Sequence, residues 1–356
     1  MKKFLVVILS FFALSIIGFI IFYNVGLSPV GKSSKDIDFL VESGSNYHAI
    51  IKKLKENGLI RNEFCFKLYI KFNKVNNLDA GTYKLNKAMS VSDIVSTFSK
   101  GNTYNPEAIV ITFKEGKNMR SIANTIAVNT NNSEDDVYNL LNDKEYLNKL
   151  INDYWFIDES ILNENIYYSL EGYLYPNTYE FQNKEVTVQE IFKRLLDEMG
   201  KKLEKYKTDL LSSNYSIHDI LTLASIVELE GSFSDDRNGI AGVFFNRLNN
   251  GWSLGSDVTT YYASRIDMNE RDLYQYEIDD NNYYNTRSSY LSGKLPVGPI
   301  CNPSIESIKA TLYPESHNYF YFVSDKNGKT YFSETYQQHL STKNDLINSG
   351  LWYTYN

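Results

Sequence analysis

The chain is poor in the residue types on which several large protein classes depend. Only two cysteines, Cys65 and Cys301, stand in 356 residues, which excludes a small scaffold stapled by disulfides. They fall in segments assigned to different domains, so two buried thiols are expected, and neither has a His and an acid around it in a nucleophile pattern. The four histidines, His48, His218, His317 and His339, form no H-E-x-x-H or related ligand set, so no metal is implied. No Gly-rich loop of Walker or dinucleotide type occurs, which leaves nucleotide chemistry unsupported and no cofactor expected. Positive charge is not in surplus either. The 36 Lys and Arg against 43 Asp and Glu give a net charge of -7, the wrong sign for a general nucleic-acid binder. What is abundant is apolar and aromatic surface, 43% and 15% of the residues, enough for sizeable cores in a length that suggests two or three folded units.

The run FLVVILSFFALSIIGFIIFY, from Phe4 to Tyr23, contains no charged residue. As a helix it is about 30 Å long, the thickness of a bilayer's hydrocarbon core. A secretory signal also starts with basic residues such as Lys2 and Lys3, but this run exceeds a usual signal core and no A-x-A cleavage site follows. An uncleaved, single-pass plasma-membrane anchor is therefore expected in residues 1–30, with the amino terminus cytoplasmic and the rest extracytoplasmic. Lys32 and Lys35 on the far side keep the charge asymmetry modest.

A polar linker, 31–38, precedes FLVESGSNYHAIIKKLKENGLI, which reads as a strand, a turn at Gly44 and a helix with apolar Ile50, Ile51 and Leu54. The layout returns 72 positions later in ITFKEGKNMRSIANTI, around Gly116, Asn118, Met119, Ile122 and Ile126. Two such units suggest a small α/β module over 39–130, similar to the LysM-like fold of several wall-binding proteins; a plain spacer is the alternative. From Ser133 to Asp153 a capped, apolar-periodic helix is expected, then a tyrosine-dense loop, LEGYLYPNTYEF, as a surface corner or the wall of a sugar site. YFYFVS and Thr330 to Ser333, separated by Asn327-Gly328, predict a hairpin, so the fold class is α+β.

The most informative segment is SIHDILTLASIVELEG, residues 216–231, with Ser216 and Asp219 as a capping box and Gly231 at its end. Ile217, Ile220, Leu221, Ala224 and Val227 form its inward stripe, and Glu228 stands at the stripe's edge. Partial burial and the negative end of the helix dipole both disfavour a charged carboxylate there, so Glu228 is expected to donate a proton near neutral pH. Protonating the leaving oxygen of a glycosidic bond needs such a group. The structural alternative is a Glu paired with Arg237 or Arg247. Glu230 points about 200° away, so any second acid would come from Asp257, Glu171, Asp235 or Asp236.

These residues carry a family likeness. ASIVELEG, VFFNRLNNGWSLGSDVTTYYA, YNTR and LPVGPICNPS, in this order and spacing, together with LEGYLYPNTY, resemble the endolytic murein transglycosylases of the MltG/YceG-like family over nearly the whole chain. The resemblance implies that Glu228 is the catalytic acid of a catalytic domain over 131–356. It implies a glycan cleft lined by Ser256, Asp257, Thr259, Asn285, Thr286 and Asn302, with Glu171 and Glu230 as further substrate-binding candidates. Asp257, Asn285 and Asn302 also have ordinary readings as a helix cap, a turn and a helix start. Arg287, Val297 and Asn177 depart from the family's usual aromatic, proline and aspartate.

The activity so implied is cleavage of the MurNAc-GlcNAc bond inside nascent peptidoglycan strands. Glu228 first protonates the glycosidic oxygen and then deprotonates the muramyl 6-hydroxyl, closing a 1,6-anhydro ring and helping to terminate strand elongation. One residue serves both steps because they are separated in time, and attack within the sugar replaces water. Asp257 or a backbone carbonyl could support the oxocarbenium-like state. Tyr261-Tyr262 and Tyr283-Tyr284 are either sugar-stacking or core pairs. Membrane-bound peptidoglycan synthases are implied partners. Two other readings stay open: a lysozyme-like muramidase using water, and an inactive wall-binding scaffold.

Overall fold

The computed structural model describes residues 2–75, 78–101, 103–231 and 234–352. The side chains of Lys2, Lys3 and Asp235, named above, lie outside the described residues. The chain forms two compact units, Met1–Ala108 and Ile109–Asn356, in a mixed α+β arrangement headed by one long apolar helix.

The first unit contains α1 (Lys2–Leu27), β1 (Ile37–Val41), α2 (Tyr47–Glu56), α3 (Glu63–Phe72), β2 (Gly81–Leu85) and α4 (Val91–Ser99). In α1 the stretch Phe4–Leu27 has the length and apolar composition to cross a membrane. β1 and β2 pair antiparallel with Phe39 opposite Tyr83, and these rings pack with Ile50, Leu54 and Phe98 in the unit's core. The expected strand, turn and helix around Gly44 are β1 and α2, and Asn46 caps α2 by accepting from the Ala49 amide.

The second unit opens with β3 (Ile109–Thr112), α5 (Met119–Asn129), α6 (Glu134–Leu141), α7 (Lys144–Asp153) and β4 (Thr178–Phe181). It continues through α8 (Val188–Glu204), α9 (Lys207–Ser212), α10 (Ile217–Glu230), α11 (Ser234–Asn249), α12 (Asp257–Ala263) and α13 (Gln275–Ile278). It ends with α14 (Ile305–Leu312), β5 (Tyr321–Ser324), β6 (Thr330–Ser333) and α15 (Tyr336–Asn348). β5 and β6 form the expected antiparallel hairpin.

Three readings of the sequence change. The second strand-turn-helix motif, β3 and α5, forms as expected, but β3 pairs with β4 and the motif belongs to the second unit, so the division falls at 108/109 instead of 130. The helix expected over 133–153 is two helices, because Asp143 turns its carboxylate back onto the amides of Glu145 and Tyr146 and starts α7 anew. The stretch 170–181 is no surface corner: Leu170, Tyr173, Leu174 and Tyr175 are buried, and its last four residues are β4.

α10 is the centre of this unit. The expected inward stripe is only half of its buried surface. Ile217, Ile220, Leu221 and Ala224 belong to the core built on α5, α6 and α8, whereas Leu223, Ile226 and Val227 belong to a second core with Ile240, Phe244 and Tyr262. A helix apolar all round is what burial on both sides requires.

Candidate active site

The polar residues inside α10 hold a neighbouring segment against it. His218 Nε2 bonds the Val297 carbonyl at 2.9 Å. A carbonyl only accepts, so Nε2 carries the proton, and Nδ1 faces the Tyr173 hydroxyl at 2.8 Å. Two turns on, Ser225 Oγ accepts from the Ile300 amide at 3.0 Å. The third clamp is Glu228 itself. Its Oε2 accepts from the Ser304 amide at 2.9 Å, the Ser304 hydroxyl at 2.5 Å and the Ser307 hydroxyl at 2.6 Å. Residues 297–304 thus run along α10 and deliver the N-terminus of α14, the positive end of its dipole, to the carboxylate.

Glu228 Oε1 meets Arg237 Nη2 at 3.4 Å, and the two side chains are only 6% and 14% exposed. The ion pair that the sequence offered as an alternative is therefore present with Arg237. Arg247 is spent elsewhere, on the carbonyls of Phe320 and Leu254. Among the described residues the four hydrogen bonds to Glu228 all come from donors, and those from Ser304 and Ser307 lie outside what the argument from burial and dipole at its own helix end foresees. Gly231 makes room for it: a Cβ there would stand 2.7 Å from Arg237 Cγ. Among the described residues Arg237 Nε is buried without a hydrogen-bond partner.

A second carboxylate, Glu115, stands beside this group and was not foreseen. Burial raises its pKa, as do the neighbouring charges of Glu228 and Glu306, against the pull of Arg237. The next residue, Gly116, passes so close that a Cβ there would lie 3.7 Å from Glu228 Cγ. From Gly116 and Leu229 a cleft of about 340 Å³ opens, lined also by Asn118, Ser121, Tyr261 and Met268. It is at the small end of the roughly 300–1,000 Å³ typical of ligand sites.

The residues expected to line a glycan cleft are placed differently. Ser256, Thr259, Asn285, Thr286, Asn302 and Glu171 are all buried, and their polar atoms are used inside the fold. Asn285 Nδ2 donates to the carbonyls of Glu277, Ile278 and Asp280, and its Oδ1 accepts from Thr260 and the Arg287 amide. Thr259 and Thr286 bond each other at 2.8 Å, and the Ser256 amide donates to Thr286. Asn302 accepts from the Leu174 amide and shares its backbone with the 116–117 turn. These residues shape the loops that meet at the site; they do not present free polar groups.

Glu171 lies under the Asn302 side of the site. It accepts from the Met119 amide at 2.8 Å and the Tyr262 hydroxyl at 3.1 Å, yet full burial carries its pKa up to about 8. Burial also raises Glu230, against the Ser256 hydroxyl that donates to it at 2.6 Å. Of the remaining acids, Asp257 is exposed at the start of α12 and pairs with Arg287 at 3.3 Å, and Asp236 accepts from Thr330. Asp257 caps nothing with its side chain; it is the first residue of the helix. Val297 contacts His218 through its carbonyl, so the departure from proline leaves that bond intact. Tyr262 and Tyr284 are core rings, while Tyr283 is 45% exposed. Both cysteines are free and buried, as expected.

Known proteins resemble the chain over most of its length. Residues 39–345 match the YceG-like family. The chain is 34% identical over 325 residues to an endolytic murein transglycosylase of Bacillus subtilis (strain 168), covering 91% of this chain and 88% of that protein. It is 29% identical over 365 residues to an endolytic murein transglycosylase of Streptococcus pneumoniae serotype 2, covering 98% of this chain and 66% of that longer one. The crystal structure of a yceG-like protein from Listeria monocytogenes shares 33% identity with a TM-score of 0.61, over 87% of this chain and 100% of its own.

Proposed function

The chain belongs to the YceG-like family, and from that premise we propose that it is a membrane-anchored endolytic murein transglycosylase with Glu228 as its acid and base. The substrate is the glycan strand of peptidoglycan, cut between N-acetylmuramic acid and N-acetylglucosamine. The observation that carries the assignment of Glu228 is the asymmetry of its carboxyl group. Oε2 is saturated by Ser304 and Ser307, so Oε1, held only by the long contact to Arg237, is the oxygen that exchanges a proton with the substrate. It protonates the glycosidic oxygen as the bond to the anomeric carbon breaks. The ionised carboxylate left behind is held by Arg237 and by the N-terminus of α14. Oε1 then takes the proton of the muramyl 6-hydroxyl, whose oxygen closes onto the anomeric carbon. No water enters the product, and the intramolecular attack has a high effective molarity.

Glu115, electrostatically coupled to Glu228, is the carboxylate assigned to oppose the developing positive charge of the sugar. The apolar run of α1 fits a single-pass anchor, with the amino terminus cytoplasmic and the second unit facing the wall. So anchored, the enzyme acts on nascent strands, ends their elongation and works beside membrane-bound peptidoglycan synthases.

The deciding experiment digests isolated sacculi with the full-length protein and with Glu228→Gln, and reads the products by mass. Wild type is expected to release anhydro ends that lack one water relative to hydrolysis products, and the variant to lose about 10²–10⁴ of the rate. Ends with an added water would mean a muramidase. No cleavage by wild type, with binding retained, would mean a scaffold.

A further inference from the structure

The helix α3 carries an apolar stripe that the first unit does not cover. On a wheel of 100° per residue its sequence EFCFKLYIKF divides into three sectors. Cys65 and Phe66 are fully buried, and with Tyr69 and Ile70 they face the protein. Glu63, Lys67 and Lys71 form a charged sector about 130° round the helix from that face. Between them lie Phe64, Leu68 and Phe72, spaced i, i+4, i+8, with Phe64 54% and Phe72 62% exposed and Leu68 half-buried. Two phenylalanines left in water on one stripe of a ten-residue helix need a partner.

The position of this stripe identifies the partner. Three contacts fix α3 against the end of α1. Arg61, just before α3, donates to the carbonyls of Pro29 and Val30. Cys65 Sγ lies 3.9 Å from the Phe22 carbonyl, and α1 comes so near at Gly26 that a Cβ would stand 2.4 Å from the same sulfur. Phe72 meets Tyr23 edge-on, their ring centroids 6.1 Å apart. The apolar stretch Phe4–Leu27 is about 36 Å long as a helix, longer than the roughly 30 Å hydrocarbon core, so Tyr23, one turn before its end, sits at the interface, where aromatic side chains concentrate. Phe72 is then at the same depth.

We propose that α3 is a membrane-interface helix. Phe64, Leu68 and Phe72 enter the boundary of the outer leaflet, and Lys67 and Lys71 lie along it with their ammonium groups among anionic headgroups. The first unit is thereby seated on the bilayer through two elements, α1 and α3. The proposal rests on the reading of α1 as an anchor and is independent of the glycan chemistry.

The test uses the full-length protein in vesicles of phosphatidylcholine with anionic phosphatidylglycerol. Nitroxide labels are placed one at a time at Phe64→Cys, Phe72→Cys, the α2 control Lys52→Cys and the α1 control Ile16→Cys. Both native thiols are buried, so the introduced ones react first. Relaxation by oxygen, which partitions into lipid, is compared with relaxation by a water-soluble nickel chelate. The expected result is an oxygen-to-chelate ratio at 64 and 72 several-fold above that at 52, and highest at 16. Ratios at 64 and 72 equal to that at 52, with 16 still lipid-like, would overturn the proposal while leaving the anchor. A water-like ratio at 16 would overturn both. Spin-spin broadening between copies at 64 or 72 would assign the stripe to a second copy of the chain and equally sink the lipid reading.

Discussion

At the scale of single residues the site turns on how few atoms are left free. Ser307 is fully buried and its hydroxyl donates to Glu228 Oε2 at 2.6 Å. Ser307→Ala removes one of the three donors on that oxygen. A hydrogen bond to a charged group is worth about 1.5–3 kcal/mol, so turnover should fall roughly tenfold to a hundredfold with KM little changed, as steady-state kinetics on soluble glycan would show. Glu171 gives a pH signature. Its pKa rises in the fold from 4.5 to about 8, so the folded chain keeps a proton that the unfolded chain has lost. The resulting stability is complete below about 4.5 and is lost as the pH rises through about 8. Melting temperatures of the second unit should fall across this window in wild type, and Glu171→Gln should flatten the slope. Glu228 was legible in the sequence because it interrupts an apolar helix near its end. Of its partners only Arg237 was among the alternatives the sequence offered; Ser304 lies 76 residues away, and nothing in the spacing points to Glu115. Asn285 and Thr286 were legible as a motif, but a motif does not say whether a polar group faces outward. Buried and fully bonded, theirs do not.

At the scale of elements, α10 and the 297–304 segment form one construction. Ser225 supplies its middle clamp and is fully buried. Ser225→Ala would leave the Ile300 amide without an acceptor, at a cost of about 1–3 kcal/mol, the penalty of an orphaned buried donor. Urea denaturation should show that loss, and activity should fall with it because the next clamp along the segment is Glu228. The start of α10 was readable from its capping box, which forms as expected. Its burial on two sides was not, since periodicity reports one face and the second core closes only when α11 and α12 arrive. For the same reason the break between α6 and α7 was missed: their apolar positions stay in phase, and only the Asp143 cap separates them.

At the scale of the whole molecule, each unit has its own core, so calorimetry on the full-length protein should resolve two unfolding transitions. Leu54→Ala, at a fully buried position of the first unit, should destabilise one of them by about 2–5 kcal/mol and leave the other, with its Glu171 slope, in place. The repeated strand-turn-helix pattern was visible in sequence, but strand partners are chosen by tertiary packing. β3 takes β4, far along the chain, and the boundary moves with it. Within the second unit Glu228, the group proposed to cut, rides on the party wall between two hydrophobic rooms. Neither room can melt without shifting that wall, so partial denaturation disarms the enzyme before it frees it.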